Sequence, residues 1–352
     1  MSERVTRTAA LDGTELAADT SPDRARSPIM RVVDQVGWPR IRRGAVVLYA
    51  LAWLLILIEF GVPTGRNVIS VLLVTGATIP RIGYGWRAYG RAYVDWLPFV
   101  AVLIAYDKTR AVADTIGLPL HESDVLGWEK ALFGGHVPTV WLQQHLYDAH
   151  HVMWYDALFT LVYTTHFLAT PALAAVLYMR SRVMWRQYIS RVVVLSVAGL
   201  TTYILFPEAP PWMASQDGLI GFHIERLSAR GWIWLHVSNL QSTLSHAQDA
   251  GSNPVAAMPS LHVGFASLVA IFAVSKLRSR WRWLFLLYPV AMGVTLVYQG
   301  EHYVVDLIAG LGYALATHFA LNRWERHRAA KRQAATAPAT PADPVQGATS
   351  TP

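Results

Sequence analysis

The chain has 352 residues, of which 53% are hydrophobic and 15% charged, a composition that excludes an ordinary soluble protein and indicates a polytopic membrane protein. It contains no cysteine, which excludes disulfides and every metal site built on thiolates. The net charge of +7 does not indicate a nucleic-acid partner, because the basic residues lie in short clusters between apolar runs and so fit a membrane topology.

The N-terminal part of the chain predicts a tail followed by membrane segments. Residues 1–38 are polar and lack the apolar core of a cleavable signal peptide, so we expect a disordered cytoplasmic tail. Within residues 39–106, the apolar run over 45–62 is long enough for a bilayer, which requires about 20 apolar residues. The runs over 67–79 and 94–106 are short, so each is tilted, re-entrant or extended by amphipathic flanks.

The rest of the chain combines one polar stretch with a strongly apolar region. Residues 107–157 predict an extracytoplasmic loop with short helices, and residues 158–322 predict the main membrane domain. Residues 323–352 predict a cytoplasmic tail that is basic and then disordered. The strong apolar runs are 158–179, 188–206, 261–277, 283–298 and 304–321. The predicted fold class is an all-α transmembrane helix bundle of six to eight spans.

Lys and Arg residues are distributed unequally between the two sides of this bundle. Nineteen of them lie in the connecting segments 39–44, 80–93, 180–191, 276–282 and 323–332. Only 6 lie in the segments on the opposite side, 62–67, 107–157, 207–260 and 299–303. The positive-inside rule places the first set in the cytoplasm. We therefore expect an integral membrane protein, in the plasma membrane if the source is bacterial, with both termini cytoplasmic.

Two short polar motifs stand at the extracytoplasmic ends of predicted helices. His262 lies just inside its helix, while His302 and Asp306 are four residues apart and share one helix face. A carboxylate one turn from a histidine can hold its tautomer and support the positive charge that develops when the ring attacks or takes a proton. The second histidine can then serve the leaving group. The pattern indicates phosphoryl transfer with these three residues as the catalytic groups.

The helix start beside His262 also predicts an anion site. Ser260 is an expected N-cap with Pro259 before it, so N–H groups of the first turn and the helix dipole favour a bound phosphate. The alternative for the same residues is a metal centre, because two histidines and a carboxylate can form an open metal face. The anion-binding helix start and the lack of a metal-activated base argue against that alternative. We therefore expect neither a metal nor a cofactor.

The two motifs resemble those of a known superfamily. The Pro-Ser-Leu-His run at 259–262 and the His-x-x-x-Asp run at 302–306 are similar to paired elements of the type 2 phosphatidic acid phosphatase (PAP2) superfamily, most closely its branch containing the inositol phosphorylceramide synthases. The Phe-Pro-Glu-Ala-Pro-Pro-Trp block at 206–212 resembles the proline-rich block of that branch. The resemblance covers roughly 159–321 and is specific through the joint order and spacing of its motifs.

The resemblance implies a PAP2-like core within residues 158–322 and a role for each catalytic residue. His302 would be the nucleophile that forms a phosphohistidine, and Asp306 would be its orienting partner. His262 would be the acid that protonates the leaving alcohol and then the base for the acceptor.

The chain departs from the phosphatase branch at positions that bear on phosphate binding. That branch usually has glycine where this chain has Leu261, and arginine before the second histidine where this chain offers only Gln299 and Glu301. The cations must therefore come from elsewhere, and Lys108 and Arg110 are the closely paired basic residues predicted on the outer side. Snorkelling at the membrane interface is the alternative interpretation of both residues.

Four further residues belong to the predicted substrate site. Tyr303, Ser260 and Pro259 are interpreted as shaping and capping residues. His166 lies about two turns below the outer surface, where it either packs in the bundle or supports the site.

The favoured function is transfer of a phosphate-bearing head group, such as phosphoinositol, from a membrane lipid to a hydroxyl acceptor at the outer leaflet. The alternative is a phosphatase that acts on a lipid phosphate or a polyprenyl pyrophosphate and uses water as the acceptor. A third hypothesis, a lipid transporter or channel, is disfavoured because the sequence offers neither a pair of broken helices nor a charged pathway.

Overall fold

A computed structural model of the chain describes residues 33, 35–60, 66–237 and 254–336, excluding the side chains of 57–60, 66–70, 73 and 107–115. Within these residues the protein is all-α, as predicted, and it forms no β-strand. The α-helices are α1 (Trp38–Phe60), α2 (Arg66–Thr78), α3 (Trp86–Ile116), α4 (Ser123–Leu132), α5 (Pro138–Leu146), α6 (Trp154–Arg180), α7 (Arg182–Leu205), α8 (Pro211–Gln216), α9 (Gly231–Trp234), α10 (Leu261–Lys276), α11 (Leu287–Tyr298) and α12 (Val304–Thr336). Two 3₁₀ helices cover Ile79–Arg81 and Arg280–Leu286.

Several of these helices are suited to a membrane. In the described part of the chain, 4 helical segments are long and apolar enough to cross one, namely α6, α7, α12 and the continuous segment Arg280–Tyr298. Helix α10 is equally apolar but has 16 residues. Together with α1, α2 and α3, these elements are compatible with the predicted six to eight spans.

The structure extends two of the predicted segments. The weak run over 94–106 lies inside α3, which has 31 residues and includes Pro98. At about 1.5 Å per residue this helix can cross a bilayer core of about 30 Å, so the polar flanks do extend the run. Helix α12 likewise continues to Thr336 and so includes the basic first part of the tail predicted over 323–352. Residues 337–352 lie outside the described part.

Helix α10 lies at the centre of the bundle and contacts α6, α7, α11 and α12. At the end of the bundle opposite His262, the buried Arg191 of α7 donates to Glu325 Oε1 at 2.8 Å and to Asn322 Oδ1 at 2.7 Å, both on α12. A buried guanidinium requires such acceptors, since an unpaired charge in an apolar environment is strongly destabilising. This cluster therefore fixes α7 against α12.

The short outer helices are attached to the bundle by buried polar side chains. Glu129 of α4 accepts hydrogen bonds from the N–H groups of Val304 at 3.1 Å and Val305 at 3.2 Å, which begin α12. Gln143 of α5 donates to Tyr298 O at 2.9 Å and to Glu225 O at 2.8 Å. A carboxylate at a helix N-terminus satisfies free N–H groups and complements the helix dipole. These contacts hold α4 and α5 beside the end of the bundle that carries both histidines.

Candidate active site

The structure brings His262, His302 and Asp306 together although they come from two separate motifs. His302 Nδ1 lies 3.4 Å from Asp306 Oδ2, and His302 Nε2 lies 3.4 Å from His262 Nδ1. Asp306 Oδ2 also accepts the N–H of Tyr303 at 2.8 Å, which fixes the carboxylate at the start of α12. Only 4% of His302 and none of Asp306 is exposed. The arrangement is a line from carboxylate to histidine to histidine.

A close approach of α10 and α12 produces this contact. Ser260 is the N-cap of α10, as predicted, and its Oγ accepts the N–H of Val263 at 3.4 Å. Its own N–H donates to the backbone oxygen of Asp306 at 3.0 Å. A Cβ atom at Gly310 would lie 2.2 Å from Ser260 O, so only glycine allows the two backbones to meet here. The helix starts that carry the two histidines are therefore joined directly.

Fewer backbone N–H donors are free to bind an anion at the start of α10 than the sequence predicts. Tyr203 donates its hydroxyl to Pro259 O at 2.9 Å and accepts the N–H of Leu261 at 3.4 Å. Since Ser260 takes the N–H of Val263, the N–H of His262 is the first-turn donor that lacks an acceptor among the described residues. One backbone donor, rather than several, is available to an anion at this point.

His166 lies beside the histidine pair, on the side of His262. The ring centroids of His166 and His262 are 4.0 Å apart, and Tyr163 stacks on His262 at 5.2 Å. His166 Nδ1 is buried and has no hydrogen-bond partner in the described part of the protein. The structure therefore shows His166 packed on His262, and its predicted role in substrate binding stays a prediction.

Arg226 and Glu301 form a charged pair next to the histidines, and the sequence analysis assigned neither a role. Arg226 Nε donates to Glu301 Oε1 at 2.8 Å, and Ser228 Oγ donates to the same oxygen at 2.6 Å. Burial opposes ionisation of Glu301, but the Arg226 guanidinium and these hydrogen bonds hold its pKa below the usual range. Arg226 acts electrostatically on His262, and Glu301 acts on His302. A long-range contact of this kind leaves no local sequence signal beyond a basic residue in an outer loop.

The remaining predicted site residues differ in how far the structure locates them. Tyr303 is fully buried and contributes its backbone N–H to Asp306. Lys108 and Arg110 lie within α3, but their side chains are outside the described part, so their predicted contact with phosphate stays a prediction. Among the described residues no group of at least 3 His, Cys, Asp or Glu side chains could hold a metal ion.

Comparisons with known proteins agree with the motifs. A family model described as the PAP2 superfamily matches residues 123–320. Phosphoinositol dihydroceramide synthase from Bacteroides thetaiotaomicron is 23% identical over 63% of this chain and 74% of its own length. The catalytic subunit of inositol phosphorylceramide synthase from Schizosaccharomyces pombe is 29% identical over 34% of this chain, and the match spans only 29% of that relative. No solved structure gives a significant match.

Replacing Gly310 by alanine tests whether the helix approach positions the site. A Cβ at 2.2 Å from Ser260 O must push α10 and α12 apart, so Gly310→Ala should lower thermal stability by the equivalent of about 1–3 kcal/mol. Activity should fall by about 100-fold, because displacement of reacting groups by about 1 Å has an effect of that size. The measurements are thermal unfolding in detergent and turnover in liposomes.

Gly312→Ala is the matched control in the same helix. No atom lies within 4 Å of a Cβ at Gly312, so this variant should keep full activity and equal or higher stability. Equal activity of the two variants would show that the close approach at Gly310 does not determine the geometry of the site.

Proposed function

The chain belongs to the PAP2 superfamily, and from that premise we propose that it transfers a phosphate-bearing head group from a membrane lipid to the hydroxyl group of an acceptor lipid. Membership of the family makes it an enzyme of lipid phosphotransfer or lipid phosphate hydrolysis. The proposed head group is phosphoinositol and the proposed acceptor is a ceramide or dihydroceramide. Both choices derive from the names of the two relatives and from the resemblance of this chain's motifs to the synthase branch.

The observation that supports this function best is the line formed by Asp306, His302 and His262. Because Nδ1 of His302 faces Asp306, its Nε2 is the nitrogen available to attack phosphorus. The lone pair of Nε2 forms the N–P bond as the P–O bond to the leaving alcohol breaks, and the alkoxide takes a proton from His262. Asp306 stabilises the positive charge that develops on the imidazole of His302.

The second half of the reaction reverses these roles. His262, now neutral, takes the proton of the acceptor hydroxyl, whose oxygen attacks phosphorus as the N–P bond breaks. His302 returns to its original state and the head group is attached to the acceptor. Neither half of the reaction requires a metal ion, because His262 transfers the protons and His302 is the nucleophile.

Substrate binding must separate the two histidine rings. The 3.4 Å between His302 Nε2 and His262 Nδ1 is an ordinary contact distance and leaves no space for a phosphorus atom with its oxygens. Catalytic contacts often rearrange between free and bound enzymes. We infer that the half-buried His262 moves, because His302 is almost completely buried and its Nδ1 lies against Asp306.

Transfer is favoured over hydrolysis by the enclosure of the site. His302 and Asp306 are almost completely buried, and exclusion of water protects a reactive intermediate from hydrolysis. A phosphatase needs water at the same place in its second step. The lipid or polyprenyl phosphatase therefore remains the second candidate, favoured only by the general chemistry of the superfamily.

The proposed orientation places the histidines on the extracytoplasmic side and both termini in the cytoplasm. It is supported by the distribution of Lys and Arg, because the segments assigned to the cytoplasm carry 19 of these residues and the segments on the side of the histidines carry 6. A reporter fused after Arg328 should read cytoplasmic, and an extracytoplasmic reading would reverse the assignment.

A reconstituted transfer assay tests the proposed function. Liposomes with purified protein, a phospholipid labelled in its phosphoinositol head group and dihydroceramide should produce a labelled sphingolipid and diacylglycerol, with little free inositol phosphate. Turnover should persist in the presence of EDTA, and His302→Ala should abolish it. Release of free phosphate or inositol phosphate as the main product would favour the phosphatase, and loss of turnover with EDTA that is restored by a divalent ion would favour metal catalysis.

Arg226 is proposed to supply positive charge to the bound phosphate, in addition to Lys108 and Arg110. The double variant Arg226→Met with Glu301→Gln should weaken inhibition by vanadate about 10- to 100-fold, since a charge-assisted hydrogen bond contributes about 1.5–3 kcal/mol. Glu301→Gln alone is the control, because it removes the same ion pair but keeps the cation. Equal inhibition of the double variant and the control would exclude Arg226 from phosphate binding.

A further inference from the structure

Glu208 is a completely buried carboxyl group that the reaction described above does not use. It lies in the proline-rich block after α7, and 0% of it is exposed. Its backbone N–H donates to Val255 O at 2.8 Å, and the N–H of Ala209 donates to His121 O at 3.1 Å. The backbone of this segment is therefore held between two other segments of the chain. Among the charged groups around its side chain, the Asp306 carboxylate has the largest effect.

Three other carboxyl groups act electrostatically on Glu208, and each of the three has donors that stabilise its ionised form. Asp306 Oδ2 accepts a backbone N–H at 2.8 Å and faces His302. Glu129 accepts the two N–H groups that begin α12. Asp124 pairs with His121 Nδ1 at 2.6 Å and accepts a backbone N–H at 3.1 Å.

Glu208 has no such support. Neither of its carboxyl oxygens has a hydrogen-bond donor among the described residues, and the largest charge effects on it come from the carboxylates Asp306, Asp124 and Glu129. The other titratable groups that face it are the phenols of Tyr203 and Tyr303. Burial, and then the Asp306 charge, raise the pKa of Glu208 well above its usual range. Burial raises the pKa of Glu129 as well, but the N–H groups of Val304 and Val305 oppose that shift, whereas no donor in the described part of the chain opposes it at Glu208.

A protonated Glu208 can donate a hydrogen bond to Asp306. Asp306 Oδ1 is buried and lacks a donor in the described residues, whereas Asp306 Oδ2 is directed at His302. We propose that Glu208 is a positioning residue that stays protonated and donates a hydrogen bond to Asp306 Oδ1. This bond satisfies a buried acceptor and holds the carboxylate with its other oxygen toward His302. The inference rests on the proposed role of Asp306 in head-group transfer.

The proposal predicts a specific dependence on pH. The raised pKa means that Glu208 ionises at a higher pH than an exposed glutamate, and the proton is lost as the pH rises through that pKa. Ionisation would then place two negative charges side by side in a buried site, and the orientation of Asp306 would be lost. Activity should therefore fall on the alkaline side of the profile because of Glu208.

Two substitutions of similar volume separate hydrogen bonding from packing. Glu208→Gln keeps an N–H donor and cannot ionise, so kcat should stay within a few-fold of the wild type and the alkaline fall should move to higher pH. Glu208→Met fills the same space without a donor, so kcat should fall about 10- to 100-fold with little change in KM, the range expected for loss of an orienting partner. Glu225→Gln, a partly exposed carboxyl on the same side of the protein, is the control and should leave activity and its pH profile unchanged.

Infrared spectroscopy of the resting protein provides a measurement that does not need activity. The difference spectrum between wild type and Glu208→Gln at neutral pH should show the carbonyl band of a protonated carboxylic acid that the variant lacks. Absence of that band, or equal impairment of kcat in Glu208→Gln and Glu208→Met, would overturn the proposal. If head-group transfer itself were wrong, the transfer assay would fail while the band remained, so the two failures are distinguishable.

Discussion

The contact between the start of α10 and the first turns of α12 is the constraint on which the rest of the site depends. Gly310 lets Ser260 O approach the axis of α12, and the Ser260 N–H binds the backbone oxygen of Asp306. Because His262 follows Ser260 by two residues, the same contact places its ring against His302. A local steric property of one glycine thus sets the distance between the two groups that would share the phosphoryl transfer.

Several buried polar groups lie around this contact. Glu129 binds the start of α12 from outside, the Arg226–Glu301 pair lies beside the histidines, and Glu208 lies behind Asp306. Buried charges are tolerated only where partners or bound protons compensate them, so their concentration at this end supports the active site proposed there. The Arg191 cluster at the other end pairs the guanidinium with Glu325 and Asn322 of α12 and is explained by helix packing.

Sequence reasoning recovered the features that depend on local spacing. The helical class, the N-cap at Ser260 and the pairing of His302 with Asp306 follow from patterns over a few residues, and the structure contains all three. Hydropathy marks only the apolar part of a helix, so it did not locate the ends of α3 and α12, which continue through charged residues. Arg226 and Glu208 received no role because their contacts join segments far apart in the chain. The one available signal for Glu208 was a carboxylate inside an otherwise apolar proline-rich block.

The most direct test of the account is to locate the covalent intermediate. The enzyme would be mixed with a donor lipid labelled in its head-group phosphate, without acceptor, quenched under alkaline conditions that preserve phosphohistidine, and digested for mass spectrometry. The account predicts the labelled head group on His302, its disappearance when the acceptor is added, and its absence from His302→Ala. Label on His262 or on any other residue, or label that persists in His302→Ala, would contradict it.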